Sequence, residues 1–379
     1  MTAPSSLLDL DDVDALLAAD VDGSLRFAAL GGAQIRATQS AVEEDGLARL
    51  HGLQPRSVVL VTGEGPATRA ADLVTAAVGS RIGIPLVGSV DTPLWVGPLD
   101  VVVVAGDDAG DPRLVESVDR ALRRGAEVIV AAPDEGPLRA AGAGRATVLP
   151  PRVAVPDHHG LLRYLAVFLA VLIAIEAERT ATVCPDLGRL ADALDEEALR
   201  DHPRNEVFHN PAKSLAARMQ GRRVVLGGDT RATTHLARHG SEVLLRSGAT
   251  VAAAADLSVV VSGAHRFGST ATSMPPDYDP FFHDEQLDGP VPGMPLRVFV
   301  FAAEADRPVV ERRVASLPDV DVVVAESEQP GPSGPPGPPG SGGPLPAAPT
   351  AARTEIEQIA VLVGRLEMSA AYLRLIGGN

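Results

Sequence analysis

The residues whose types and order most clearly suggest a functional site lie in the stretch from Ser57 to Val74, SVVLVTGEGPATRAADLV. An uninterrupted run of β-branched residues and Leu is followed by Gly63 and Gly65, and small residues then continue through Leu73. This order predicts a strand, a tight turn and a helix. In a parallel sheet such a turn lies at the carboxyl end of the strand, where the next helix presents unpaired backbone N–H groups to a ligand. The stretch therefore predicts a binding site.

A second candidate element is the acidic loop AGDDAGD, which follows the apolar run from Val101 to Ala105. Its carboxylates, Asp107, Asp108 and Asp111, stand at the end of a predicted strand. Three carboxylates there could hold Mg²⁺ or Ca²⁺, which take oxygen ligands, and such a metal could bridge to a phosphate. The alternative, which we favour, is a solvated loop without a metal.

Other ligand-type and nucleophilic side chains give weaker signals. His158 and His159 are adjacent, but no Cys or further His stands at the spacing of a structural metal site. Lys213 is the only lysine, so any amine chemistry would depend on it. Local pairing of Lys213 at a helix is favoured over a Schiff base. We therefore predict no cofactor and no metal.

The composition argues against several classes of protein and partner. A net charge of −16 over 379 residues disfavours nucleic acid as a partner, because phosphate binding needs concentrated Lys and Arg. Cys184 is the only cysteine, which excludes an intrachain disulfide and fits a reducing cytoplasm. The first 20 residues carry acids where a secretory signal would carry bases. We predict a cytoplasmic protein.

The most membrane-like segment runs from Tyr164 to Ile175 and contains 12 apolar residues. A helix that spans a bilayer needs about 20 such residues. The segment therefore predicts a buried helix, and we expect no membrane association. Because an apolar helix over residues 160–178 needs cover on most sides, it also favours a homodimer.

The length and the alternation of apolar runs with helical stretches predict an α/β protein with two units. Runs such as Val58–Val61 and Val128–Ala131 are separated by helical stretches, which predicts right-handed crossovers and parallel sheets. The predicted divisions are an N-terminal helical segment over 1–50, a first doubly wound unit over 51–155, an apolar helix and connection over 156–209, a second unit over 210–328, a Pro- and Gly-rich linker over 329–353 and a C-terminal docking helix over 354–379.

Six segments, taken in order, resemble a known family. GEGPATRAAD, from Gly63 to Asp72, is similar in register to the family's glycine-rich turn, and PLDVVVVAGDDAGDPRLVESV matches the strand that leads into its phosphate loop. HHGLLRYLAVFLAVL, SEVLLRSGA, FFHDEQLDG and AAYLRLIGG match four further segments. In this order they resemble the bifunctional phosphoglucose/phosphomannose isomerases, which are built from two sugar isomerase (SIS) domains. The resemblance implies two flavodoxin-like, doubly wound domains and a C-terminal docking helix.

The resemblance also implies roles for individual residues. Glu242 matches the base of the aldose–ketose isomerisation, and His283 matches the residue that opens the sugar ring. The matching substrate-binding positions are Gly63, Gly65, Thr68, Gly106, Asp107 and His159. Each catalytic assignment has an alternative, because Glu242 could be an idle carboxylate on a helix surface and His283 could lie in a solvated acidic loop.

The phosphate anchors of the family are changed in this chain. Asp107, Asp108 and Asp111 replace hydroxyl residues, Ala67 replaces a Ser, and His159 replaces an Arg. Two unit charges about 4 Å apart interact by roughly 4 kcal/mol at an effective dielectric near 20, here repulsively toward a phosphate.

Two functions follow as hypotheses. The first is isomerisation of glucose 6-phosphate or mannose 6-phosphate to fructose 6-phosphate. The second is a non-catalytic SIS-type protein that binds another small ligand or regulates sugar metabolism.

Overall fold

The structure of the chain, a computed structural model, describes residues 8–270, 294–326 and 352–377, with the backbone alone for residues 265–270. His283, the predicted ring-opening residue, lies outside the described residues. The predicted linker over 329–353 lies outside them as well, except for its last two residues.

In the part of the chain that the structure describes, the first sheet has five parallel strands in the order β2-β1-β3-β4-β5. The central strands are β-branched runs buried on both faces, as expected when helices cover both sides of a parallel sheet. The strands are β1 (Ser57–Thr62), β2 (Leu86–Ser89), β3 (Asp100–Ala105), β4 (Glu127–Ala131) and β5 (Thr147–Val148).

Over the described residues, the second sheet has four parallel strands in the order β7-β6-β8-β9, which repeats the first part of the order of the first sheet. The strands are β6 (Arg223–Gly228), β7 (Ala252–Asp256), β8 (Leu296–Phe301) and β9 (Val320–Val323). Two doubly wound parallel sheets confirm the predicted α/β fold class. The strand orders are those of flavodoxin-like sheets.

The helices connect and cover these strands. They are α1 (Val13–Ala19), α2 (Ser24–Ala28), α3 (Gly31–Glu43), α4 (Pro66–Val78), α5 (Pro112–Arg123), α6 (Gly136–Gly142), α7 (Leu161–Thr180), α8 (Leu187–Arg200), α9 (Pro211–Met219), α10 (Arg231–Arg246), α11 (Leu257–Thr270), α12 (Arg307–Val314) and α13 (Glu355–Ile376).

The predicted apolar helix is α7, and its residues from Leu161 to Leu172 are all buried. The cover comes from α3 and α4 of the same chain. The apolar character of α7 therefore needs no second chain to explain it, and the homodimer stays a prediction. None of the helices in the described part of the chain is both long and apolar enough to cross a membrane.

The C-terminal helix α13 docks on its own chain, where it contacts α2, α8, α9 and α10. Thr354 caps its first turn through a reciprocal pair of hydrogen bonds with Glu357. Burial extends beyond the apolar residues and includes Arg365, Glu367 and Ser369. The helix therefore belongs to the core, and its buried charges must find partners there.

Candidate functional site

A cleft opens where the carboxyl ends of β1 and β3 lie side by side. The chain leaves these strands in opposite directions, which is the topological switch point where doubly wound sheets bind ligands. Three glycines, Gly63, Gly65 and Gly106, line it. Gly65 has a φ of +89°, and a Cβ on Gly106 would lie 2.6 Å from Leu114 Cδ1. The conformation at Gly65 therefore favours glycine, whereas a side chain at position 106 would require the end of the Leu114 side chain to shift.

Thr68, in the first helical turn of α4, stabilises the loop that contains Gly63 and Gly65 through hydrogen bonds. Its Oγ1 donates a hydrogen bond to the Gly63 carbonyl oxygen at 2.7 Å and lies 2.9 Å from Oγ1 of Thr62. The Thr68 hydroxyl is thus engaged within the turn. Its position supports the turn backbone, and its predicted contact with a ligand stays a prediction.

The cleft has a volume of about 290 Å³, and its lining includes four of the predicted positions, Gly63, Gly65, Gly106 and Asp107. Among the described residues that line it, carboxylates outnumber cations. Five carboxylates face two guanidinium groups there: Glu64, Asp107, Asp108, Asp111 and Asp157 against Arg113 and Arg246. This balance disfavours a dianionic ligand and favours one that donates hydrogen bonds.

The acidic loop holds its three carboxylates in different ways. Asp108 accepts a hydrogen bond from the Gly110 N–H at 2.7 Å, and Asp111 caps α5 through the Arg113 N–H at 2.8 Å. Asp107 instead accepts a hydrogen bond from the Tyr164 hydroxyl at 2.5 Å. The loop geometry therefore fixes Asp108 and Asp111 locally, while Asp107 is positioned from α7.

Asp107 is the carboxylate of the loop with the most unusual environment. Burial raises its pKa, while the Tyr164 hydroxyl and Arg163, whose guanidinium lies 3.9 Å away, act in the opposite direction. A partly buried carboxylate with free acceptor capacity can take hydrogen bonds from ligand hydroxyl or amino groups.

The second unit reaches the cleft through α10. Arg246 pairs with Asp157 at 2.7 Å, and this hydrogen bond lowers the pKa of Asp157. His158 lies 3.6 Å from the same carboxylate, and burial lowers the pKa of His158. Asp157, His158 and Arg246 form what we call the rim of the cleft. The rim thus joins residues that precede α7 to the last turn of α10.

Glu242, the predicted base, lies one turn before Arg246 and lines a small cavity with Gly65 and His158. The structure thus brings Glu242 close to the predicted glycine turn. Both of its carboxylate oxygens, however, accept hydrogen bonds from Arg69 of α4, with Nε at 2.9 and 3.0 Å. The pairing raises the pKa of Arg69.

His159, predicted to bind substrate, is 1% exposed and lies beneath the rim. Its Nδ1 lies 2.7 Å from Oε2 of Glu367 on α13, and Nε2 of His239 lies 3.6 Å from the other oxygen. Burial acts to raise the pKa of Glu367. The interactions of Glu367 with the imidazoles of His159 and His239 outweigh burial, so the pKa of Glu367 is lowered. The structure thus places the His159 side chain against a buried carboxylate.

No group of three or more His, Cys, Asp or Glu side chains within residues 8–264, 294–326 and 352–377 is arranged to hold a metal ion. Lys213 is fully buried, and its Nζ donates to the carbonyl oxygens of Pro203 at 2.7 Å and Asn205 at 2.8 Å. It therefore takes part in local structure and is not among the residues that line the cleft.

Several residues of the site were not predicted from the sequence. Tyr164, Asp157 and Arg69 each depend on a contact between distant parts of the chain. One signal was available, since Tyr164 carries a hydroxyl at the start of the apolar segment that ends at Ile175. Buried Tyr hydroxyls usually find a hydrogen-bond partner.

Fold and cleft together define the class, a doubly wound α/β protein with a cleft at the switch point of its first sheet. No protein-family model matches the chain, and no curated protein matches it. Solved structures do match. A tagatose-6-phosphate ketose/aldose isomerase from Escherichia coli is 14% identical with a TM-score of 0.59, and the match covers 99% of this chain and 96% of that one.

Two further structures widen the comparison. A glucose-6-phosphate isomerase like protein from Thermus thermophilus is 18% identical with a TM-score of 0.51, covering 98% of this chain and 94% of that one. The C-terminal domain of glucosamine-fructose-6-phosphate aminotransferase from Francisella tularensis is 11% identical with a TM-score of 0.50, covering 97% and 92%. The chain therefore has the fold of phosphosugar isomerases and related SIS-domain proteins. The narrower resemblance to bifunctional phosphoglucose/phosphomannose isomerases stays a prediction.

Proposed function

We propose that this chain binds a carbohydrate derivative in the cleft at the ends of β1 and β3, and that it does not isomerise sugar phosphates. One observation carries the proposal. The loop that would face a phosphate places Asp107 beside Gly63 and Gly106, in a lining with five carboxylates and two arginines. Sugar hydroxyl and amino groups donate hydrogen bonds to carboxylates, whereas a phosphate dianion is repelled by them.

The state of Glu242 supports the non-catalytic part of the proposal. A general base must reach the proton that it abstracts and have an oxygen free to accept it. Arg69 contacts both oxygens of Glu242, so a proton taken up by either oxygen would weaken a charge-assisted contact with the guanidinium. A bidentate guanidinium–carboxylate pair is among the stronger charge-assisted contacts in proteins.

The proposal can be tested by calorimetric titration with glucose, glucosamine, fructose 6-phosphate and mannose 6-phosphate. We expect saturable binding that is tighter for the uncharged or amino sugar than for the phosphates. Asp107→Asn should weaken binding about tenfold, because one charged hydrogen-bond acceptor is lost. Glu116→Gln removes a carboxylate on the exposed face of α5 and should leave binding unchanged. Failure of all four sugars to bind would overturn the proposal.

Isomerase activity is the second candidate, because Glu242 lines a small cavity together with Gly65 and His158 at the edge of the glycine turn. A coupled assay with fructose 6-phosphate and mannose 6-phosphate tests it directly. We expect no turnover above background. Turnover that disappears in Glu242→Gln would establish isomerisation, with Glu242 as the base, and would refute the non-catalytic proposal.

A further inference from the structure

A larger cavity lies at the amino end of the second sheet, opposite the edge where strands of this fold bind ligands. Its volume is about 640 Å³, against about 290 Å³ for the cleft of the first sheet. The starts of β6, β7 and β8 and the end of α13 form its walls. Cavities of 300–1,000 Å³ are the size that holds small organic ligands.

The lining of this cavity combines an apolar surface with positive charge. Val251, Met294, Leu296 and Leu373 contribute apolar side chains, and Val251 and Met294 are 79% and 62% exposed. Among the residues that the structure describes, the lining also includes three arginines, at positions 222, 223 and 374, but no Asp or Glu. The described lining is therefore positively charged, whereas the chain as a whole has a net charge of −16.

The three arginines differ in their availability. Arg374 pairs with Asp22 and donates to Ser24 Oγ at 3.4 Å, and Arg223 donates from Nε to the Met294 carbonyl oxygen at 3.0 Å. Within the described part of the chain, the guanidinium of Arg222 has no hydrogen bond or ion pair. Arg222 is therefore the arginine most available to an anionic ligand.

We infer that this cavity binds a small organic anion with an apolar body, such as a phosphorylated or carboxylated aromatic compound. The apolar walls would take the body of the ligand, and the guanidinium of Arg222 would pair with its anionic group in a charge-assisted contact. The inference is independent of the carbohydrate cleft, because the two cavities share no lining residue and carry opposite charge.

The test uses the full chain and 1-naphthyl phosphate as the probe, with 1-naphthol as its neutral counterpart. We expect saturable calorimetric binding of 1-naphthyl phosphate and at least about tenfold weaker binding of 1-naphthol. Arg222→Gln should weaken the phosphate about tenfold and leave 1-naphthol unchanged. Arg204→Gln, which alters an exposed arginine outside the cavity lining, is the matched control.

A second variant tests the same cavity without changing its charge. Ala253 is exposed on β7 and lines the cavity, so Ala253→Trp should fill it and abolish binding of both probes, while Asp107→Asn in the cleft should have no effect. Absence of saturable binding to the unaltered chain would overturn the inference. Equal affinity of the unaltered chain and Arg222→Gln for 1-naphthyl phosphate, or undiminished binding to Ala253→Trp, would overturn it as well.

Discussion

Arg69 on α4 holds both carboxylate oxygens of Glu242 on α10, with its Nε 2.9 Å from one oxygen and 3.0 Å from the other. The same guanidinium lies 3.7 Å from Asp72, which in turn lies 3.5 Å from His235. The contact joins a helix of the first unit to a helix of the second. Glu242 therefore links the two units, whatever part it takes in chemistry.

This relationship predicts a measurable coupling between Arg69 and Glu242. Arg69→Met and Glu242→Gln should each lower the free energy of unfolding by about 0.5–1.5 kcal/mol, because the pair is partly exposed and solvent screens it. The double variant should cost less than the sum of the single variants, by about 1 kcal/mol. Urea unfolding of the four proteins of the cycle measures the coupling.

The exposed pair of Arg123 and Asp119, one turn apart on α5, is the matched control. Its coupling should be about 0.3–0.5 kcal/mol, as for other exposed helix pairs. If the coupling of Arg69 with Glu242 does not exceed that of the control, the pair does not stabilise the contact between α4 and α10.

The central part of the fold was predictable because its signals are local. The apolar run before Gly63 and the small residues after it specify β1, the turn and α4 without reference to the rest of the chain. The short strands β2 and β5 were not predicted. Within the described part of the chain, β2 pairs only with β1 and β5 only with β4, and the burial of both strands is partial. Their sequences lack the apolar run of a central strand.

The site was predictable only in part, for the same reason. Gly63, Gly65, Gly106 and Asp107 come together because the carboxyl ends of neighbouring parallel strands share one edge of a sheet. The pairing of Glu242 with Arg69 spans 173 positions, and no spacing rule connects residues that far apart. His159 illustrates the same limit, because its partner Glu367 lies on the C-terminal helix, 208 positions away.

The buried carboxylate of Glu367 predicts a loss of stability when its charge is removed. Glu367→Gln should lower the free energy of unfolding by about 3 kcal/mol at pH 7, because a buried charged partner of His159 is lost. The folded-state pKa of Glu367 lies below its ordinary value of 4.5, so this contribution is complete above pH 4.5 and is lost as the pH falls through the folded-state pKa.

Urea unfolding at pH 7 and at pH 3 measures this dependence, with Glu196→Gln on the exposed face of α8 as the control. The difference between the unaltered chain and Glu367→Gln should shrink at pH 3, whereas the control should differ little from the unaltered chain at pH 7. A Glu367→Gln penalty that is equal at both pH values would show that folding does not lower the pKa of Glu367.

Asp201 predicts the opposite dependence on pH. Burial and the neighbouring Glu197 raise the pKa of Asp201 to about 8. Between the ordinary value of 3.8 and about 8 the folded state retains a proton that the unfolded state has released, so this residue makes stability fall as the pH rises through that window. Asp201→Asn cannot ionise, and its Oδ1 can still accept the Ala212 N–H now bonded at 2.9 Å.

We therefore expect Asp201→Asn to exceed the unaltered chain in stability at pH 8 by about 1–3 kcal/mol, and to match it within about 1 kcal/mol at pH 4. Urea unfolding at both values provides the comparison, and Asp192→Asn on the exposed side of α8 serves as the control. A variant that is less stable than the unaltered chain at pH 8 would mean that the Asp201 carboxylate is charged and stabilised in the folded state.

The buried position of Lys213 predicts that its substitution lowers the stability of the fold, for a reason unrelated to amine chemistry. Its Nζ satisfies the carbonyl oxygens of Pro203 and Asn205, and it lies 5.7 Å from the centre of the Tyr372 ring on α13. Lys213→Met keeps the apolar stem but leaves two carbonyl groups without their donor. The free energy of unfolding should therefore fall by about 2–4 kcal/mol.

Differential scanning calorimetry of Lys213→Met, with Met219→Leu as a conservative buried control on the same helix, separates the lost hydrogen bonds from disturbed packing. The control should cost less than about 1.5 kcal/mol, because it conserves volume. Binding of the sugars and of 1-naphthyl phosphate should be unchanged in Lys213→Met below its melting temperature, since Lys213 lines neither cavity. Loss of sugar binding in a folded Lys213→Met variant would show that this amine reaches the cleft, contrary to its burial in the structure.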